Sequence, residues 1–326
     1  MKYGLIPFAT LALAIASPAF ANDSTAELTA GGLVLRQSDT IDMRSEDLYI
    51  STEQIRVRYT FHNTADADVT TIVAFPLPEL ALDYEGDYTF PSDFETEVAG
   101  QTVEMSVERK AMLGETDHSA ILAEYGLPLS PEADWEAFEQ ALERLSDPQA
   151  DRLQALGLVE VNRYERNGET RRYIRPLWTV RQTYYWEQVF PAGENLEIEH
   201  RYRPSVGGTA GSAIGNPDFI ASEWGQEMVA EYCMDANFLA GARRMMQRSD
   251  YGYVVERTLG YVLTTGANWR APIGEFRLVV DKGDPRNIVS FCGSGLNRLS
   301  PTQFEMRRTN WRPEQDLRVL LLSPAE

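Results

Sequence analysis

The sequence predicts a mainly β protein of two β-sandwich-like domains, the first interrupted by an α-helical insertion. Three observations predict it. Ile55, Val57, Tyr59 and Phe61 alternate with Arg56, Arg58, Thr60 and His62, the two-residue period of a strand with one buried face. Short apolar runs separated by Gly, Pro, Asn and Asp recur through both halves of the chain. Between about 111 and 157 the apolar spacing changes to three or four, the period of helices.

Taken in order, residues 1–21 carry the three parts of a secretory signal: Lys2, the apolar core Leu5 to Ile15, and the small-x-small site Ala19-Phe20-Ala21. Cleavage near Ala21 would leave a periplasmic or secreted chain beginning at Asn22. The apolar core is shorter than the ~20 residues a bilayer span needs. No membrane span is therefore expected in the mature chain, and no cysteine follows the cleavage site to take a lipid anchor.

Ser24 and Glu27 stand at capping-box spacing, and with Gly31-Gly32 as a stop they predict a turn or two of helix over Asn22 to Gly32. Leu33 to Arg36, Ile41 to Arg44 and Leu48 to Ile50 read as short strands. The Ile55 run and a second run, Val69 to Phe75, read as a hairpin that Pro76 and Pro78 end. Phe94 to Val98 and Gln101 to Arg109 read as another, turning at Ala99-Gly100.

Within the insertion, Asp117 is placed to cap a helix over Ser119 to Tyr125. Ser130-Pro131 is placed to start a second, with Trp135, Phe138, Leu142 and Leu145 on one stripe, and Asp147-Pro148 a third ending at Gly157. Strands resume at Leu158 to Tyr164 and Thr170 to Ile174 around Arg166-Asn167-Gly168. Trp178 to Val189 and Leu196 to Tyr202 follow. The small, glycine-rich Val206 to Gly215 predicts a boundary between domains 22–206 and 207–326. Beyond it, Trp224 to Met246 suits helix. Tyr251 to Thr264, Gly274 to Asp281, Ile288 to Phe291, Phe304 to Arg308 and Leu317 to Leu322 suit strands.

The net charge is −19, becoming −20 without Lys2. Such a surface repels phosphate backbones and anionic lipid, which argues against nucleic-acid and membrane-surface binding. The two cysteines, Cys233 and Cys292, are expected to pair in an oxidising compartment, two buried thiols being the alternative.

The chemical motifs are sparse. Gly208 to Gly215 lacks the Lys-Ser/Thr of a phosphate loop, and neither Ser212 nor Ser294 sits in G-x-S-x-G. His62, His118 and His200 show no ligand spacing and read as structural. Asp83, Glu85 and Asp87 alternate in a loop, a pattern that could hold calcium, but the EF-hand glycine and glutamate are replaced by Tyr88 and Phe94. Tyr84, Tyr88, Trp178, Tyr184, Tyr185 and Trp186 offer rings for sugar stacking, yet interleaved in strands they read as core.

Five stretches carry a resemblance: NDSTAELTAGGL from Asn22, VAFPLPEL from Val73, YYWEQVFPAGENLEIEHRYRPSVGG from Tyr184, GANWRAPIGEFRLVVDKG from Gly266 and SFCGSGLNRLSPTQFEMR from Ser290. In these the chain resembles an exported bacterial family of unknown function, which implies an envelope protein and carries over no catalytic residue. The order strand, FPLP, V-A-G-Q-T-V hairpin, then helix, with the W-E-x-x-F-P-A-G-E run from Trp186, is similar to the vault protein inter-alpha-trypsin domain. That likeness implies a β-sandwich; the D-x-S-x-S metal site found beside such domains is missing from the sequence, and the helical insertion departs from the pattern.

The sequence thus reads as a non-catalytic envelope binding or scaffold protein, without a cofactor, whose partner is an envelope protein or a polysaccharide. Two alternatives stand beside it: a glycan- or cell-wall-directed hydrolase using paired carboxylates, and a calcium-stabilised scaffold.

Overall fold

The computed structural model describes residues 22–29, 32–82, 90–131, 134–166 and 169–325. Ten strands precede the helices: β1 (Ser24–Thr29), β2 (Gly32–Arg36), β3 (Ile41–Ile50), β4 (Ile55–Asn63), β5 (Val69–Pro76), β6 (Leu80–Ala81), β7 (Ser92–Val98), β8 (Gln101–Thr102), β9 (Ser106–Leu113) and β10 (Thr116–Asp117). Helices α1 (Ser119–Glu124), α2 (Trp135–Glu143) and α3 (Asp147–Ala155) come next. They are followed by β11 (Val159–Arg166), β12 (Glu169–Pro176), β13 (Thr179–Phe190), β14 (Asn195–Arg203) and β15 (Gly207–Ser212). A second helical group, α4 (Pro217–Ile220), α5 (Glu223–Glu231) and α6 (Ala236–Arg248), leads to β16 (Val254–Tyr261) and a 3-10 turn at Thr264–Asn268. The chain ends with β17 (Ile273–Asp281), β18 (Ile288–Phe291), β19 (Asn297–Arg298), β20 (Gln303–Trp311) and β21 (Leu317–Pro324).

The mainly β class is as the alternation predicts. One sheet runs β10-β9-β13-β5-β1-β2, a second β19-β20-β17-β3-β4-β14-β7-β8, and a third β15-β16-β21-β18, with β11-β12 a separate ribbon. Ile55, Val57, Tyr59 and Phe61 of β4 are completely buried. They face Val73 and Phe75 of β5, Trp186 and Phe190 of β13, and Leu259, Tyr261, Val319 and Leu321 of the third sheet. Each such side chain stabilises the fold by roughly 1.5–3 kcal/mol relative to exposure.

Chain-neighbouring strands often divide between layers. β4 pairs with β3 and β14, whereas β5 pairs with β1 and β13, so the Ile55 and Val69 runs are not a hairpin. Their apolar faces meet across the core because that buries both. Asn63 fixes the corner, its amide donating to the carbonyls of Ala67 and Phe190 at 2.9 Å. The β7–β8 hairpin does form at Ala99-Gly100, before the chain crosses to the first sheet as β9.

The helix expected at the start of this region does not form over Asn22 to Thr29. Ser24–Thr29 is a strand held on both sides, Ala26 opposite Leu35 of β2 and Ile72 of β5. Two ladders outweigh one local cap. The glycine-rich stretch is also a strand, β15, pairing Gly208 with Arg257 of β16. A Cβ on Gly208 would stand 2.1 Å from the Glu256 carbonyl oxygen, so this close approach requires glycine. Gly208→Ala is expected to cost about 1–3 kcal/mol by overpacking, read as a lowered denaturant midpoint at unchanged slope.

The core is not divided at residue 206. β17 pairs in parallel with β3, Leu278 opposite Leu48, and the largest apolar cluster runs from Ile41 to Leu321. The regions on either side of β15 therefore share a sheet and an interior.

The helical insertion forms a satellite core, with Phe138, Leu142 and Leu153 packed on Ala111, Trp178 and Val180. Its second helix begins later than Ser130, because Asp134 supplies the cap, accepting from the Ala137 N–H at 2.8 Å. α3 opens on Ser146 with a Gln149 capping box, as the Asp147-Pro148 pattern anticipates. Helices α4–α6 cover the outer face of the third sheet through Val254, Leu320 and Leu322. Buried on both faces, β21 reads as the unbroken run Val319 to Leu322. Among the described residues, no helix is long and apolar enough to cross a membrane.

Candidate functional site

Several inward strand faces place polar residues among apolar ones, and these residues converge. β3 supplies Glu46, in phase with Leu48 and Ile50; β14 supplies His200 and Tyr202, in phase with Ile198; β4 and β16 supply Tyr59 and Tyr261; β7 supplies Thr96. The segment leading into β1 adds Asn22 and Asp23. All of these are at most 3 % exposed.

Their bonding holds the amino-terminal segment in place. Asn22 Nδ2 donates to Glu46 Oε2 at 2.9 Å, and the Asn22 carbonyl accepts from Thr265 Oγ1 at 2.6 Å. The Asp23 carbonyl accepts from Trp269 Nε1 at 2.7 Å, and Ser24 Oγ accepts from Asn268 Nδ2 at 3.0 Å. Gly266 leaves room for this clamp, since a Cβ there would lie 2.8 Å from Asn22 Nδ2. His200 Nε2 lies 3.1 Å from Asp23 Oδ1, and its Nδ1 lies 2.8 Å from Thr96 Oγ1. The Tyr59 and Tyr261 hydroxyls are 2.8 Å apart.

Burial governs the electrostatics. It pushes the Glu46 carboxyl up to about 8, with the Asn22 hydrogen bond opposing and the Asp23 charge adding to the rise. It also raises Asp23, against the pull of His200. The Tyr59, Tyr202 and Tyr261 phenols are held above their ordinary range for the same reason. Among the described residues, the buried Asp23 Oδ2, Glu46 Oε1 and Tyr202 hydroxyl have no hydrogen-bond partner.

Thr96, His200 and Asp23 stand in the order hydroxyl, base and orienter that activates nucleophiles. Here the hydroxyl is 1 % exposed and the other two completely buried. The Thr96 hydroxyl also points at Met105. Closed in this way, the constellation anchors chain rather than meeting a substrate.

The open surface lies elsewhere. A cleft of about 450 Å³ runs along β15, lined by Glu53, Arg203, Gly208, Ala210, Glu256 and Arg257 among others. β15 is the terminal strand of its sheet, and Thr209, Ala210 and Gly211 are exposed. Burial raises the Glu256 carboxyl, opposed by a hydrogen bond donated from Ser212 Oγ at 2.5 Å. A second cleft, of about 700 Å³, lies between Arg109 and α2.

The sequence candidates separate. Cys233 and Cys292 are bonded, their Cα atoms 5.0 Å apart. Asp83, Glu85 and Asp87, with Tyr84 and Tyr88, lie outside the described residues. His62 pairs with Asn195 at the surface and His118 precedes α1, so only His200 joins the buried cluster. Trp178 and Trp186 are core residues, and Tyr184 stacks on Phe94 at 3.9 Å. Asp23, Glu46 and Thr96 escaped sequence reasoning. For Glu46 the signal was there, as an acid in phase with Leu48 and Ile50.

A family model described as "Domain of unknown function (DUF4424)" matches residues 21–320. The chain belongs to the DUF4424 family. Among solved structures, this DUF4424 chain is similar to a protein of Legionella pneumophila subsp. pneumophila str. Philadelphia 1 described as a candidate nutrient binding protein. The identity is 18 %, the TM-score 0.41, and the alignment covers 88 % of this chain and 68 % of that one. No curated protein matches the chain. Two of the stretches that marked the family resemblance, those from Asn22 and from Gly266, meet in the DUF4424 structure through the Asn268–Ser24 and Trp269–Asp23 bonds of the clamp.

Proposed function

We propose that this DUF4424 chain is a binding protein of the bacterial cell envelope, exported by residues 1–21, which grips an extended segment of another envelope protein along β15. The observation that carries the reading is the cleft beside that terminal strand. Its small exposed side chains leave the main chain open to pairing with an added strand. Arg203 and Arg257 stand there beside Glu53 and Glu256, so charges of both signs are available to a partner's side chains. The disulfide and the composition of the leader support the location.

Ala210→Trp fills the cleft from an exposed position. Affinity capture from periplasm with the native chain is expected to retain an envelope protein that the variant loses, at an unchanged melting temperature. Retention of polysaccharide instead of protein, or equal capture by both chains, would defeat the reading. The raised Glu256 carboxyl favours one second reading, a hydrolase using Glu256 and Glu53 as its carboxylate pair. Turnover of a cell-wall glycan that Glu256→Gln abolishes would establish it.

A further inference from the structure

The clamp around Asn22 and Asp23 has a consequence for maturation. Asn22 is completely buried, and three of its polar groups are occupied. Its amide nitrogen bonds Glu46, its amide oxygen accepts from the Asp23 N–H at 3.0 Å, and its carbonyl accepts from Thr265. The fourth, the main-chain nitrogen, is the group that cleavage after Ala21 would convert into an ammonium. Around this residue lie two completely buried carboxyl groups, each with one oxygen lacking a partner among the described residues: Glu46 Oε1 and Asp23 Oδ2. A buried carboxyl ionises only at a high cost unless a positive charge pairs with it, and an added ammonium in hydrogen-bonding contact is what supplies that pair.

We propose that cleavage between Ala21 and Asn22 creates the counter-ion of this site, the Asn22 α-ammonium closing as a buried ion pair onto Glu46 and Asp23. Processing then completes the core. The receiving residues come from both ends of the chain: Glu46 from β3, and Thr265, Gly266 and Trp269 from the turn after β16. In the uncleaved chain Glu46 is held largely protonated near neutral pH by burial, and the ammonium supplies the reason for it to ionise.

The inference rests on the export reading, and the test separates the two. The full-length gene product is exported, purified and weighed intact. A chain that is uncleaved, or cleaved elsewhere, removes the export reading and with it this one. For a chain that begins at Asn22, the α-amine is acylated with acetic anhydride, and the labelled amino-terminal peptide is compared with the free peptide NDST. The native chain is expected to be labelled roughly tenfold or more slowly than the free peptide, and equally fast after unfolding in urea. Glu46→Gln is expected to remove that protection while the disulfide stays formed. Should that variant not fold, a chain retaining Ala21 ahead of Asn22 is used, and it is expected to melt several degrees lower than the processed chain. Free labelling of the native amine would overturn the pairing, as would full protection in Glu46→Gln or equal melting of the two chain lengths.

Discussion

Replacing His200 with alanine is expected to cost about 3–5 kcal/mol of folding stability, the usual penalty for removing one partner of a buried polar pair. The imidazole is completely buried between Asp23 and Thr96, and it lies within 6 Å of the rings of Tyr59, Phe75, Phe94 and Trp186. Its loss leaves Asp23 with neither oxygen bonded by a histidine and opens a void among aromatic rings. The pH dependence has a definite sign. Burial raises Asp23, and His200 opposes that rise, so the variant's Asp23 is raised further. A carboxyl with a raised folded pKa favours folding below its unfolded value and loses that contribution as pH climbs. The deficit of the variant is therefore expected to be smallest near and below the ordinary carboxyl value of 3.8 and to widen toward neutrality. Urea titrations at several pH values measure it, and a pH-independent loss under about 1 kcal/mol would contradict the anchoring role.

Removing the disulfide has a comparable expected effect by a different route. Cys233 and Cys292 are 59 residues apart, and opening that loop restores unfolded-chain freedom equivalent to about 4 kcal/mol. The bond ties the turn just after α5 to the residue just after β18, so it fastens the outer helices to the third sheet. Cys233 is exposed, which lets a reductant reach the bond in the folded protein. Reduced native chain and the Cys233→Ser, Cys292→Ser double variant are expected to share one lowered denaturation midpoint. Identical midpoints with and without reductant would show that the folded geometry, rather than the link, sets the stability.

Much of the architecture was legible, and particular residues show where legibility stops. The alternation of β4 identified a strand with one buried face, and the period change after Leu113 located the helices. The partners of those strands were not legible. Whether Phe61 and Phe75 lie side by side or across from one another depends on β14 and β13, which are more than a hundred residues downstream. Ser24 to Thr29 carried a helix-start pattern, but β2 and β5 offered hydrogen bonds on both edges. Local propensity yields to such pairing. For the same reason, no local signal around Val206 reports that β17, beyond it, pairs with β3, before it. In the buried site, His200 was visible as an inward strand residue. Glu46 was partly hidden by the irregularity between Met43 and Ser45, which shifts the phase of β3. Asn22 and Asp23 had no periodic context to mark them as core.

The parallel contact between β3 and β17 also bears on how the molecule reaches its final form. A ribosome or an export channel delivers residues 41–50 long before residues 273–281, so until the later strand emerges one margin of the earlier one lacks its neighbour. The first sandwich layers must wait, partly assembled and prone to sticking, for nearly the whole polypeptide. Truncation anywhere before Ile273 should accordingly yield inclusion bodies rather than a shorter working protein.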